Sequence, residues 1–456
     1  MKKLGIGIAA AVAALVVGGA ATSYVMGGKL QEGFESTAKD WSKPPLGIEV
    51  QSYERGLFSS TAKTLWTVNT GDEQVQFTAL HEMKHGPWPR GHAAEIATTF
   101  AINADAPPEW VTAYKDKAPL VWNATVGWSK KSQHNIASPA ISGNFDGEKL
   151  SFGGFTADFE MPGDLKGMKG TATMPSLLIQ PGPDSADKAE VQLGTSNMRF
   201  DVKQAAGQEF MVGSFNWALD KLAATSKGKN ETTTLVGFVM DTDTQLQGDV
   251  VNTTVNTKVQ SFAAPDTKVS DIAVDLALRN LDAAWLNQVT KASQEAQGNP
   301  QLLQGLLMGG LQQLLAKKPE LEIKRISWRS DEGVSEVAAS VTYQGDPATS
   351  PNPLADIKAS ARLSMPKPVL YALMTSRVRD GYLEQLDDGE EPDAQMLSSA
   401  VQEDVDARLG MLLQSGILVE KDNLMTTQLD YSAGKVQANG KELNNEGMMG
   451  LMQAMP

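Results

Sequence analysis

The sequence predicts an α+β protein: an N-terminal membrane helix, then an extended and mainly antiparallel β-sheet, with helices concentrated in the C-terminal half. Three observations carry this expectation. Residues 4–28 hold no charge, residues 45–280 alternate apolar and polar side chains between turn residues, and helical spacing enters near residue 280. The expected division is residues 1–28 as a signal-anchor, 29–265 as a β-rich region and 266–456 as an α+β region.

The first element is LGIGIAAAVAALVVGGAATSYVMGG, residues 4–28, behind Lys2 and Lys3. A helix needs about 20 apolar residues to cross a hydrocarbon core of roughly 30 Å, and this run is longer. The two lysines set its orientation, with the amino terminus inside and the bulk of the chain exported. A cleaved signal peptide has the same layout, with Gly19-Ala20-Ala21 as its small residues. Continuation of the apolar run through Tyr24, Val25 and Met26 favours an uncleaved anchor. Ala10, Ala14 and Gly18 have the spacing that lets membrane helices approach, in a segment rich in Ala and Gly throughout.

Strands come next. TAKTLWTVNT (61–70), EQVQFTAL (73–80), KLSFGGFTADFEM (149–161) and DVVNTTVNTKVQSF (249–262) alternate as half-buried antiparallel strands do. Near residue 280 the texture changes. Asp282 is placed to cap a helix over AAWLNQVTKASQEAQ, and a leucine-rich helical run follows until Pro319. LEIKRISWRS and SEVAASVTY make a hairpin around Asp331-Glu332-Gly333. Helices return in PVLYALMTSRVRDGYLEQL and AQMLSSAVQEDVDARLGMLLQSG, before a closing hairpin LMTTQLDY–SAGK–VQANG and a Met-rich tail.

Composition excludes several functions. The chain of 456 residues has no cysteine, which removes thiol catalysis, cysteine-ligated zinc and disulfides. A net charge of −14, with no stripe of Lys and Arg interleaved with aromatics, is repelled by phosphate backbones and by anionic lipid headgroups and argues against a nucleic-acid partner. DTDTQLQGDVVN (241–252) begins as a calcium loop does, but carries Leu246 and Asn252 where Gly and Glu are required. DDGEEPD (387–393) reads as a solvated loop, and neither a nucleophile elbow nor a P-loop occurs.

One stretch demands closer reading. HEMKHGPWPRGH, residues 81–92, holds three of the four histidines and contains His-Glu-x-x-His at His81, Glu82 and His85. Zinc proteases carry that pattern on a helix, where both histidines reach one metal. Here the approach alternates as a strand, with Val75, Phe77 and Ala79 on one side, and Gly86 and Pro87 follow at once. On a strand the two histidines stand ~13 Å apart, too far to share zinc. His92 also misses the third-ligand spacing. His81, Glu82 and His85 are therefore rejected as metal ligands, and no cofactor is expected.

Beyond composition, several segments resemble a known family. YERGLFSS (53–60), with Arg55, Gly56 and Phe58, resembles a motif near the start of the YdgA-like proteins, bacterial envelope proteins grouped by a domain of unknown function. HGPWP (85–89), made of His85, Gly86, Pro87, Trp88 and Pro89, is similar to that family's His-Gly-Pro-aromatic-Pro motif. LEIKRISWRSDEG (321–333), with Trp328, and LDYSAGKVQANGKEL (429–443) are similar too. The resemblance implies a homodimeric inner-membrane protein, single pass, with its bulk in the periplasm and no assigned catalytic residue. Physically, Arg55-Gly56 reads as a bend feeding a strand, with Arg55 facing a buried carboxylate, and Gly86-Pro87-Trp88-Pro89 as a rigid turn. The function expected is non-enzymatic: binding an envelope protein or an apolar, lipid-like ligand in a groove, or scaffolding by dimerisation. A zinc hydrolase built on His81, Glu82 and His85 is the alternative.

Overall fold

The computed structural model describes residues 46–55, 59–69, 74–85, 92–103, 106–115, 117–145, 147–182, 189–226, 228–229, 231–295, 309–350, 352–384 and 393–444, with Phe34, Glu35, Ala38, Lys39, Ser42 and Met448. Two compact units divide it. Unit 1 takes residues up to 204 and 211–239; unit 2 takes 205–210 and 240 onwards.

In unit 1, alternation becomes a meander. Strands β1 (Leu46–Arg55), β2 (Ser59–Asn69), β3 (Gln74–His85), β4 (Ala94–Ile102), β5 (Leu120–Val126) and β6 (Ser132–Ser138) pair antiparallel in chain order. A short helix, α1 (Pro108–Tyr114), interrupts them. After β6 each long strand is broken in two. β6 continues into β7 (Ile141–Phe145), β8 (Glu148–Phe152) into β9 (Phe155–Met161), β10 (Gly167–Met174) into β11 (Leu177–Gln180), and β12 (Ala189–Leu193) into β13 (Ser196–Gln204). One half of each joins β6–β9–β10–β13; the other joins β7–β8–β11–β12. Strand β14 (Met211–Ser226) spans both, facing β13 with its first half and β12 with its second.

The breaks fall on one line across the sheet, at Pro139, Gly153-Gly154, Pro175 and Gly194. Proline has no N–H for the ladder, so it sits where pairing stops. Gly154, at φ 91, would bring a Cβ within 2.9 Å of the Ser138 carbonyl, so only glycine allows that crossing. Gly153 N–H donates to the Ser176 carbonyl at 2.8 Å and carries the ladder over the crease.

One face of this sheet is sealed. Along β2 and β4 alternate residues are buried. Trp66, Met83, Ile96, Phe100, Trp122, Ile136 and Phe159 build a single core, capped by Phe34. Gly170 lies opposite both Phe159 and Phe200, which come to 6.4 Å between ring centroids. Beyond the crease a second core gathers Tyr114, Ile141 and Phe145, with Trp110 of α1 4.4 Å from Phe145.

Strand β15 (Glu231–Gln247) runs across the division. In unit 2 follow β16 (Val250–Ala264), β17 (Thr267–Asp282), helices α2 (Ala283–Glu295) and α3 (Leu311–Ala316), β18 (Glu320–Ser330), β19 (Gly333–Tyr343) and β20 (Ile357–Pro366). The chain then makes α4 (Lys367–Leu383), α5 (Ala394–Gln414), β21 (Val419–Lys421), β22 (Leu424–Ser432), β23 (Lys435–Ala438) and β24 (Lys441–Glu442). The sheet order is β16–β17–β18–β19–β20–β22–β23–β24, antiparallel throughout, with β21 also on β22. Asp282 caps α2 by accepting from Trp285 N–H at 2.7 Å. Asp393 caps α5 through Gln395 and Met396 N–H, each at 2.9 Å.

Two expectations are corrected. The α+β class gives way to a predominantly β architecture, 59% strand against 19% helix among the described residues. The physical reason is that β16–β20 are each 10 to 16 residues long, so the C-terminal helices are excursions between long strands. The N-terminal membrane helix is not supported either. Among the described residues no helix is long and apolar enough to cross a membrane. The expected span, residues 4–28, lies outside them. The single-pass inner-membrane location that rested on that helix is withdrawn with it.

Candidate functional site

The His-Glu-x-x-His segment lies at the end of β3. His81 is 5% exposed and Glu82 is exposed, so the two stand on opposite faces. Both His81 nitrogens are engaged. Nε2 is 2.8 Å from the Thr64 hydroxyl on β2 and Nδ1 is 2.9 Å from the Thr98 hydroxyl on β4. Trp66 Nε1–H donates to Thr64 Oγ1 at 2.7 Å. Along Trp66, Thr64, His81 and Thr98 every side-chain nitrogen and oxygen therefore has a hydrogen-bond partner. Phe34 lies edge-on 5.2 Å away, and burial lowers the His81 pKa to about 4. His85 is paired with Ala94 in the ladder. Among the described residues no cluster of three His, Asp or Glu is arranged to hold a metal.

A second histidine mimics a nucleophile–base pair. His134 Nε2 lies 2.7 Å from Ser132 Oγ, and Trp122 Nε1–H donates to His134 Nδ1 at 3.2 Å. An indole nitrogen only donates, so Nδ1 is unprotonated and the imidazole proton is on Nε2. That proton points at Ser132, so the ring cannot take the serine's proton there. Ser132 is 0% exposed and His134 3%, stacked on Phe159 at 4.7 Å. Burial again lowers the imidazole pKa, to about 4. Nothing in the sequence separates this histidine from a catalytic one; the distinction is the indole on its other nitrogen.

Of the family-motif residues, Arg55 and His85 fall at one end of the unit 1 meander. Arg55 ends β1 opposite Ser60, and His85 ends β3, while Ser59 pairs with Lys84. Arg55 is exposed rather than set against a buried carboxylate. Gly56, Phe58, Gly86, Pro87, Trp88 and Pro89 lie outside the described residues. Trp328 is elsewhere, half-buried on β18 in unit 2 and opposite Ser335.

Unit 2 offers a different surface. One face of β17–β18 is an ion-pair ladder: Arg279 bridges Glu320 and Glu322 at 2.6 and 2.7 Å, Arg325 meets Asp275 at 2.8 Å, and Arg329 meets Asp271 at 2.9 Å. The other face is apolar. Helices α4 and α5 cover it where Leu363 and Met425 pack with Leu370, Tyr371 and Leu409. Four residues further along β20 the cover ends. There Leu278, Leu321 and Val341, direct neighbours on β17, β18 and β19, are 38%, 46% and 43% exposed. The next row, Leu276–Ile323–Ala339, is half-buried. Three adjacent exposed aliphatics on a sheet are an uncovered patch, unlike single exposed leucines. Sequence reading missed it because alternation names a face without saying what covers it.

Such a chain, a large antiparallel sheet with sealed histidines and an open apolar face, belongs to the family described as bacterial protein of unknown function (DUF945), whose pattern it matches over residues 1–446. Protein YdgA of Escherichia coli (strain K12) is 25% identical to it over 453 residues, covering 90% of this chain and 87% of that protein. No solved structure matches.

Proposed function

We propose that the chain acts by binding rather than by catalysis, and that its ligand is an apolar, lipid-like molecule held against the open face of unit 2. The observation that carries this reading is the exposed row Leu278–Leu321–Val341, continuous with the half-buried row beside it. An acyl chain laid along these rows removes the same aliphatic surface from water that the α4 and α5 side chains remove at Leu363. The charged ladder on the opposite face keeps that side wet. Both histidine clusters that resemble catalytic groups are sealed in a core and fully hydrogen-bonded, which favours binding over the zinc-hydrolase alternative.

A fluorescent fatty acid titrated into the purified full chain tests the proposal. The unaltered chain is expected to bind it, and Leu321→Glu to weaken binding at least about tenfold, since a charge then faces the chain and a leucine's burial is lost. Equal binding by both would sink the ligand reading. If Leu321→Glu changes the oligomeric state while probe binding is absent from both, the row is covered by a second copy and the chain is a scaffold.

A further inference from the structure

The exposed row on unit 2 runs beyond its three aliphatics. Val341 lies opposite Ala359 on β20, Ala359 opposite Tyr431 on β22, and Tyr431 opposite Val436 on β23. Facing residues of neighbouring strands point to one side of a sheet, so Leu278–Leu321–Val341–Ala359–Tyr431–Val436 is one row on one face. The row beside it starts at Leu276–Ile323–Ala339 and continues through Ala361 and Leu429 to Ala438. Neither row holds a charged side chain.

Both sides of this strip are closed. Along β19 the residues on this face are 3% exposed at Tyr343, 43% at Val341 and 0% at Ser335. On the Ser335 side stand α4 and α5, which cover Leu363 in the row beyond Ala361. On the Tyr343 side stands the turn before β20, closed by Ala355 N–H donating to the Asn352 carbonyl at 3.0 Å. Tyr431, in the row itself, donates its hydroxyl to the Leu354 carbonyl at 3.0 Å and so holds that turn at the edge of the strip. The strip is thus a trough two residues wide that crosses six strands. Its two rows are roughly 7 Å apart, which suits one hydrocarbon chain better than a helix about 10–12 Å across. Five strand spacings make a length of about 24 Å. A zigzag chain advances roughly 1.3 Å per carbon, so that length holds about 18 carbons.

We propose that the ligand is a single long acyl chain, lying extended across the strands from Leu278 to Val436. This rests on the ligand reading above and adds the direction and length of what is bound. Saturated fatty acids of about 8 to about 18 carbons, displacing a fluorescent fatty acid from the purified full chain, test it. Affinity is expected to rise about fivefold for each pair of carbons up to about 18, since each added methylene leaves water. In Ala359→Phe a ring stands midway along the trough, and the rise should stop near about ten carbons. Val436→Ser is the milder change, at the far end, and should blunt only the last step of the series. Binding that Leu321→Glu weakens but that is indifferent to length overturns the trough and leaves the ligand reading standing. So does a length profile that neither Ala359→Phe nor Val436→Ser alters. No binding at any length sinks both.

Discussion

His81 and His134 put four imidazole nitrogens into a core that excludes water, and each finds a hydroxyl or an indole N–H. Burial penalises the charged form and holds both pKa values at about 4, below the ordinary 6.5; at His134 a protonated Nδ1 would also face the Trp122 indole N–H, donor against donor. The sign of the pH effect follows. An unfolded chain binds protons to both histidines below about pH 6.5, while the folded one does not until about pH 4, so stability is lost as pH falls through that window. By this linkage protonation of each ring costs the fold almost nothing at neutral pH and on the order of 3 kcal/mol by pH 4. Urea midpoints measured from pH 7 to pH 4 should fall steeply, and His134→Gln should flatten the profile; a flat profile in the unaltered chain contradicts the assignment. Nitrogen NMR of His134 should show Nδ1 unprotonated and Nε2 protonated. The opposite tautomer would restore Ser132 to consideration as a nucleophile. Replacing His81 with Leu should cost about 1–3 kcal/mol, since it takes the ring partner from the Thr98 hydroxyl and leaves Thr64 with the Trp66 indole alone.

At the scale of elements, two backbone positions make sharp predictions. Ser432 pairs with Lys435, leaving Ala433 and Gly434 as a two-residue turn with φ 50 and 78. This is the turn that needs positive φ at both positions, and alanine adopts it at a cost. Ala433→Gly should therefore raise the unfolding free energy by about 1 kcal/mol, read as an increased melting temperature. Gly170 is the converse: a Cβ there would stand 2.2 Å from the Asp158 carbonyl. Gly170→Ala must part β9 from β10 and should cost about 1–3 kcal/mol. Much of this level was legible in the sequence. Strands over 61–70 and 73–80, the hairpin about Asp331 and the Asp282 cap follow from alternation, turn residues and side-chain oxygens, all of which are local. The crease was not, because Pro139, Gly153, Pro175 and Gly194 are meaningful only once register aligns them across neighbouring strands. Helix α1 was passed over as well, being a single short helix inside a strand-rich stretch.

For the whole molecule, two units differ: unit 1 seals a core of aromatic and apolar side chains, and unit 2 has an apolar face that its helices cover only in part. Motif reading pointed to His81 and Glu82, whose residue types match a zinc site while their strand geometry does not. Burial and register were needed to find Leu278, Leu321 and Val341, which no motif marks. The central claim is that this row holds an apolar ligand, and native mass spectrometry of the gently purified full chain tests it most directly. The account predicts a lipid-sized mass bound to the chain, released on denaturation and missing from Leu321→Glu. A bare chain, a bound zinc ion without lipid, or a lipid kept equally by Leu321→Glu would contradict it.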